Sequence, residues 1–251
     1  MSLEQIERLD RIVVCAQEIR ERLSHLPALE NGLVHLRPTD RGITMVGLLS
    51  HRPQRGKGGY KVDKLLRAFD VEFSKYCDKV SHGRPTPEKE LQSFLISSAY
   101  KHNRTLTMLN PTEQEEDIVF ITDELPLHTD TGKVVCDILA FQGNQDNGKP
   151  ILIELKSARE MQRLVEQLSG YTSAMKLFYP QFEQLYSTVL GRDIRFNNSP
   201  EKWLVWPALG DRLETDRREP ELNRQGIRVV QYRGDSTKGY HFHVGRPCVE
   251  N

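Results

Sequence analysis

Two apolar runs near the middle of the chain carry charges that buried strands should not hold. Asp137 sits inside "VVCDILAF", and Glu154 and Lys156 sit inside "ILIELKS". In a strand, Glu154 and Lys156 point to one face, and Ile151, Ile153 and Leu155 point to the other. A buried carboxylate is costly unless it is paired or binds a metal. Two carboxylates on adjacent strands would also repel each other. A divalent cation, Mg²⁺ or Mn²⁺, answers both difficulties. Mg²⁺ is commonly held by one or two carboxylates together with water and substrate phosphate. A lysine beside the pair could then orient or help deprotonate an attacking water, and offset charge on a phosphate in the transition state. The plain alternative is a structural ion pair at the strand ends, which is all an isolated E-x-K triplet would suggest.

The elements around these residues bear on the choice between the two. The stretch "EKELQSFLISSAYKHN" has a helical stripe of Leu91, Phe94, Leu95 and Ser98, with Thr86 as an N-cap and Pro87 at the first helical position. Three strand candidates follow, "DIVFITDELPLHT", "KVVCDILAFQ" and "PILIELKS", the first two joined by a turn at Asp130, Thr131 and Gly132. A long helical region from 158 to about 189 comes next, then the strand "KWLVWPAL". A charged helical stretch over 211–224 leads to "GIRVVQYR" and a last strand, "GYHFHV". A hairpin followed by strand, helix and strand argues an α/β fold with a mixed central sheet and flanking helices.

With that context the arrangement resembles the PD-(D/E)XK, or restriction-endonuclease-like, nuclease superfamily. Its motif places an acid on one strand and E-x-K on the next, here Asp137 and Glu154-Leu155-Lys156. Its αβββαβ core matches the order read from Glu88 onward. The family's proline before the acid is absent, and Cys136 stands there. Members often carry a Glu on the first core helix that completes the site, for which Glu88 and Glu90 are the candidates. Glu88 continues the buried stripe and is favoured; Glu90 lies at the stripe's edge. Gln167 and Tyr171, four apart after E-x-K, resemble the Q-x-x-x-Y element of the RecB-like and NucS-like branches and would support the site. The resemblance implies that Asp137 and Glu154 bind Mg²⁺ or Mn²⁺, with the Leu155 carbonyl and Glu88 as further ligands. It also implies cleavage of phosphodiester bonds in DNA, with RNA left open. A nuclease fold that binds nucleic acid or a protein partner without cutting is the alternative.

The resemblance spans residues 86–251 and leaves residues 1–85 without a counterpart. That first part reads as an α+β appendage: an amphipathic helix over 3–25, two strands around a turn at Pro38–Gly42, a loop over 51–60 and a second helix over 61–80. "SHGRPTP" at 81–87 reads as the boundary between domains. The loop and the start of its helix hold Arg52, Arg55, Lys57, Lys61, Lys64 and Arg67 against Asp63, a basic run that could grip phosphates. The appendage could bind nucleic acid or mediate homodimerisation.

The 35 basic and 35 acidic residues cancel, so any nucleic-acid contact must come from a local patch. Cys15, Cys77, Cys136 and Cys248 show no C-x-x-C spacing, which predicts free thiols in a reducing cytoplasm. The first residues, acidic at once and without a long apolar core, predict neither a signal peptide nor a membrane span. His241 and His243 share a strand face without a third ligand nearby, and read as half-exposed strand residues. Trp203 and Trp206 read as core.

Overall fold

The computed structural model of the chain describes residues 3–48, 57–80, 86–109, 116–129, 132–144, 146–159, 164–209 and 218–244. It has a mixed α/β architecture built on two sheets. The smaller, N-terminal one follows α1 (Leu3–Leu23) and the short α2 (Pro27–Glu30). It consists of β1 (Val34–Thr39), β2 (Gly42–Gly47) and β3 (Lys57–Tyr60) in antiparallel order, and α3 (Val62–Val80) closes it. Its core is formed by Leu23, Leu36, Ile43, Met45, Leu65 and Tyr76.

The loop expected over 51–60 is corrected at its end, where Lys57–Tyr60 pairs with β2 as an edge strand. Such a strand bonds through its main chain and needs few side chains. Tyr60, 3% exposed, anchors it, and Gly58 sits where a Cβ would meet Thr44 Oγ1 at 3.0 Å. Arg52 and Arg55 lie outside the described residues, as does most of the 81–87 segment.

The larger sheet follows α4 (Pro87–Lys101). Its strands are β4 (Ile118–Thr129), β5 (Gly132–Asn144) and β6 (Asn147–Leu155), a continuous antiparallel meander. Then come α5 (Leu164–Leu177), α6 (Tyr179–Leu190) and the two-residue β7 (Arg195–Phe196). The last elements are β8 (Glu201–Pro207), α7 (Glu219–Arg224), β9 (Ile227–Asp235) and β10 (Gly239–Val244). The sheet order is β10-β9-β8-β6-β5-β4, with β6, β8 and β9 parallel and β10 antiparallel to β9. Both faces of β6 are covered, which is why its second half is apolar almost without a break. Leu91, Leu95 and Ile96 of α4 cover one face, and Leu168, Met175, Phe182 and Leu185 of α5 and α6 cover the other.

The start of α4 follows its sequence: Thr86 accepts from the Lys89 N–H at 3.4 Å, and Pro87 fills a position whose N–H has no helical partner. The helical region expected from 158 to about 189 forms two helices over its described part, α5 and α6. Proline has no N–H to give and its ring collides with the carbonyl four residues back, so Pro180 is tolerated only in a first turn. The chain therefore leaves helical geometry at Phe178 (φ −122°, ψ 28°) and restarts at Tyr179. Of the helix expected over 211–224, only Glu219–Arg224 falls on α7, and 210–217 lies outside the described residues.

The helix α1 serves both cores. Leu9, Ile12, Val13 and Ala16 join Phe182, Leu185 and Tyr186 beneath the larger sheet, and Cys15 and Leu23 join the smaller core. This docking brings β1 alongside β4, which bears directly on the site. Among the described residues no helix is long and apolar enough to cross a membrane.

Candidate functional site

The site arises where two strands part. Main-chain pairing between β5 and β6 runs up to Ile138 opposite Ile153 and stops there. The next facing positions are Asp137 and Glu154. Beyond them β6 stays with β8, where Lys156 N–H donates to the Val205 carbonyl at 2.9 Å. The Leu155 N–H, left without a main-chain acceptor on β5, donates to Asp137 Oδ2 at 2.8 Å. The Asp137 side chain thus fills the fork it sits in. On the other side of β5, Asp123 faces Ile138 and Leu125 faces Cys136, so Glu124 faces Asp137. Glu124, Asp137 and Glu154 therefore stand at one level across three adjacent strands.

Glu154 is 2% exposed. Its Oε1 accepts from Lys156 Nζ at 2.7 Å and from Gln167 Nε2 at 2.9 Å. Its Oε2 is buried with no hydrogen-bond partner among the described residues. Burial, reinforced by the charge of Asp137, pushes the Glu154 carboxyl up to about 7 despite Lys156 and Gln167. Burial also raises Asp137, against the Leu155 N–H and the ammonium groups of Lys89 and Lys156. Burial works against the charge on Lys156, but Glu154, Asp137 and Glu88 outweigh it and raise the ammonium above its ordinary value. The Lys156 side chain is 22% exposed, and its main chain is pinned on both sides, since Tyr232 Oη donates to its carbonyl at 3.3 Å.

The two acids on α4 part company. Glu88 Oε1 accepts from Ser157 N–H at 3.1 Å and from its hydroxyl at 3.3 Å, which sets it just past the end of β6. Glu90 accepts from Ser236 in the β9–β10 turn at 3.3 Å and takes no part in the bonds around Glu154. Gln167 bridges Glu154 and the Val135 carbonyl, at 2.9 and 3.0 Å. Tyr171, one turn on and 1% exposed, instead donates its hydroxyl to the Leu125 carbonyl at 3.1 Å and ties α5 to β4.

Lys61, Lys64 and Arg67, the described side chains of the basic run, are not bonded to these acids. The strand β3 borders β2 on the side away from β1, and Lys61 is exposed. Lys64 lies 3.3 Å from Glu72, and Arg67 donates to the Asp63 carbonyl at 3.2 Å. His241 and His243 are exposed on the edge strand β10, and Trp203 and Trp206 are fully buried, with Arg228 over the first and Arg159 over the second.

A second charged group was not foreseen. Asp123 on β4 is 1% exposed and takes both arms of Arg37 from β1, at 2.6 and 2.5 Å. His35 Nε2 lies 3.0 Å from Asp123 Oδ1, and His35 Nδ1 meets Tyr100 Oη at 2.8 Å. Burial alone would raise Asp123, but Arg37 and His35 outweigh it and hold the carboxyl well below the usual range. Burial dominates at His35 and lowers its pKa, against the pull of Asp123. Glu124 binds Arg37 Nη1 at 2.7 Å and Lys89. Gln92, 4% exposed, donates to Asp123 Oδ2 at 3.2 Å and to the Asp137 carbonyl at 3.0 Å. The signal was present: "ITDELP" sets two acids in an apolar strand, as "VVCDILAF" sets one.

Among the described residues no group of three or more His, Cys, Asp or Glu is arranged to hold a metal ion. The donors at the fork are two carboxylates, one with a free buried oxygen. That set suits a hard cation that keeps water and substrate oxygens as its other ligands. Comparison with models of known protein families and with curated proteins finds no match.

Proposed function

We propose that the chain is a metal-dependent nuclease with a restriction-endonuclease-like core, hydrolysing phosphodiester bonds, most simply those of DNA. The observation that carries this reading is Glu154: a buried carboxylate with one unpartnered oxygen, facing Asp137 where two strands part, with a lysine on its other oxygen. The order α4, β4, β5, β6, then α5 and α6, the two-residue β7, and β8 parallel to β6 supports it, since with α5 and α6 taken as one helical layer it follows the αβββαβ order of that core.

In this reading Asp137 and Glu154 hold Mg²⁺ or Mn²⁺. The ion would supply Lewis acidity toward the phosphate and a more acidic water. Gln167 fixes Glu154 from the α5 side, as outer partners of metal ligands commonly do. Lys156 positions the nucleophilic water and offsets the charge that develops on the phosphate. Glu88 stands past the end of β6, where it would bear on the site through water.

One observation favours a second reading, a protein that binds nucleic acid or a partner without cutting. Lys156 already satisfies one oxygen of Glu154, so the pair can stand without a cation. Hydrolysis decides between them. Single-stranded, double-stranded and flapped DNA and RNA are incubated with the protein in Mn²⁺ and in EDTA, beside Asp137→Asn and Glu154→Gln. The nuclease reading expects at least one substrate to be cut in Mn²⁺ only, and cutting to be lost in both variants. Equal cutting by the variants, or none of any substrate by the wild type, overturns it.

A further inference from the structure

The first two turns of α4 lie across the ends of the three strands that carry the acids. Glu88 reaches Ser157 just past β6, Gln92 reaches the Asp137 carbonyl on β5, and Lys89 reaches Glu124 on β4. The row Glu124–Asp137–Glu154 therefore has an ammonium group at each end, Lys89 on the β4 side and Lys156 on the β6 side. Neighbouring strands lie about 4.8 Å apart, so the row spans roughly 10 Å. At that main-chain spacing the two ends suit successive phosphates of one strand.

We propose that Lys89 is a second substrate-binding cation of this site, contacting the phosphate next to the one that is cut. The proposal rests on the nuclease reading and adds a residue to it. Lys89 is placed rather than free to sweep, because Glu124 and Gln92 Oε1, the latter at 2.8 Å, both accept from its Nζ. Glu124 is itself fixed by Arg37, and it holds a left-handed backbone (φ 45°) that a non-glycine residue keeps only under such contacts. An ammonium group has three N–H donors. Two are engaged here, which leaves one for a phosphate oxygen, and the side chain is 33% exposed, so a polynucleotide can reach it. Its charge also acts on Asp137, which places it within electrostatic reach of the fork. Lys156 serves the cut itself, and Lys89 holds the strand that runs past it.

The test is binding, read apart from hydrolysis. Fluorescein-labelled single- and double-stranded DNA is titrated by anisotropy with the whole protein, in Ca²⁺ in place of Mn²⁺, over a series of salt concentrations. Lys89→Met is expected to weaken binding about three- to tenfold at moderate salt. It should also lower the slope of log affinity against log salt by about 1, as loss of one phosphate contact does. Lys89→Arg, which keeps the charge, should restore both. Should Lys89→Met not fold, Lys89→Gln, which retains a donor for Glu124, carries the same expectation. An unchanged affinity and salt slope overturns the assignment of Lys89 and leaves the nuclease reading standing, since hydrolysis tests that separately. A wild type that binds neither DNA overturns the assignment of Lys89 and leaves the nuclease reading to the hydrolysis panel, which includes RNA.

Discussion

Lys156→Met is expected to slow phosphodiester hydrolysis by about two to three orders of magnitude while leaving Mn²⁺ binding intact. The size follows from the position. A charged donor aimed at the place where negative charge develops, in a site largely closed to water, is typically worth 10²- to 10³-fold, or about 3–4 kcal/mol of barrier. Lys156 is three-quarters buried, raised above its ordinary pKa and pinned through its own main chain, so no solvent ammonium replaces it. Metal binding should survive and tighten, because removal of the lysine frees Glu154 Oε1 from its ion pair. Single-turnover rates at saturating Mn²⁺, with a calorimetric Mn²⁺ titration, separate the two effects. A rate within about threefold of the wild type would remove Lys156 from the chemistry.

Arg37→Met should destabilise the fold by about 3–5 kcal/mol, the cost of stranding a buried charge. Asp123 is 1% exposed and ionised, and the guanidinium meets it with two donors. Glu124 would lose a partner as well. The remaining contacts are Gln92, which is neutral, and His35, whose charge is disfavoured by burial. The double variant Arg37→Met, Asp123→Asn should recover more than half of the loss, because the amide needs no counter-charge and still accepts from Gln92. The pH dependence has a definite sign. The folded Asp123 is depressed below its unfolded value near 3.9, so its stabilisation is complete above about pH 4 and is lost as pH falls through the folded value. In Arg37→Met the carboxyl takes up a proton more readily, so the penalty should shrink in acid. Urea midpoints at neutral and acid pH measure this. A neutral-pH penalty under about 1 kcal/mol would show that the pair is not a true buried ion pair.

What could be read from the residues divides along physical lines. Charges inside apolar strands are legible, because burial makes them expensive. Asp137 and Glu154 were found that way, and Asp123 and Glu124 obey the same rule but lack a neighbouring motif to draw attention. Gln167 and Tyr171 share a helical period, yet only Gln167 reaches Glu154. Spacing along a helix says which side chains share a face, not which carbonyl each will meet. The helical region after 158 looks continuous because its apolar period runs through Phe178, and only the steric demand of Pro180 divides it. The Arg37–Asp123 contact joins residues 86 apart. It depends on how α1 docks the small sheet against β4, which no local pattern encodes. Lys61, Lys64 and Arg67 cluster in sequence, and that clustering alone does not say which surface or partners they will share.

The claim that Asp137 and Glu154 form one divalent-cation site has a direct test in a calorimetric Mn²⁺ titration of the wild type, Asp137→Asn and Glu154→Gln. Glu154 has its carboxyl near 7, so a proton competes with the metal in weak acid, and binding should strengthen as pH rises from 6 to 8. The account predicts saturable binding by the wild type with that pH trend, and binding weakened by at least about tenfold in each variant. Equal Mn²⁺ affinity in all three proteins, or no binding by the wild type at pH 8, would contradict it.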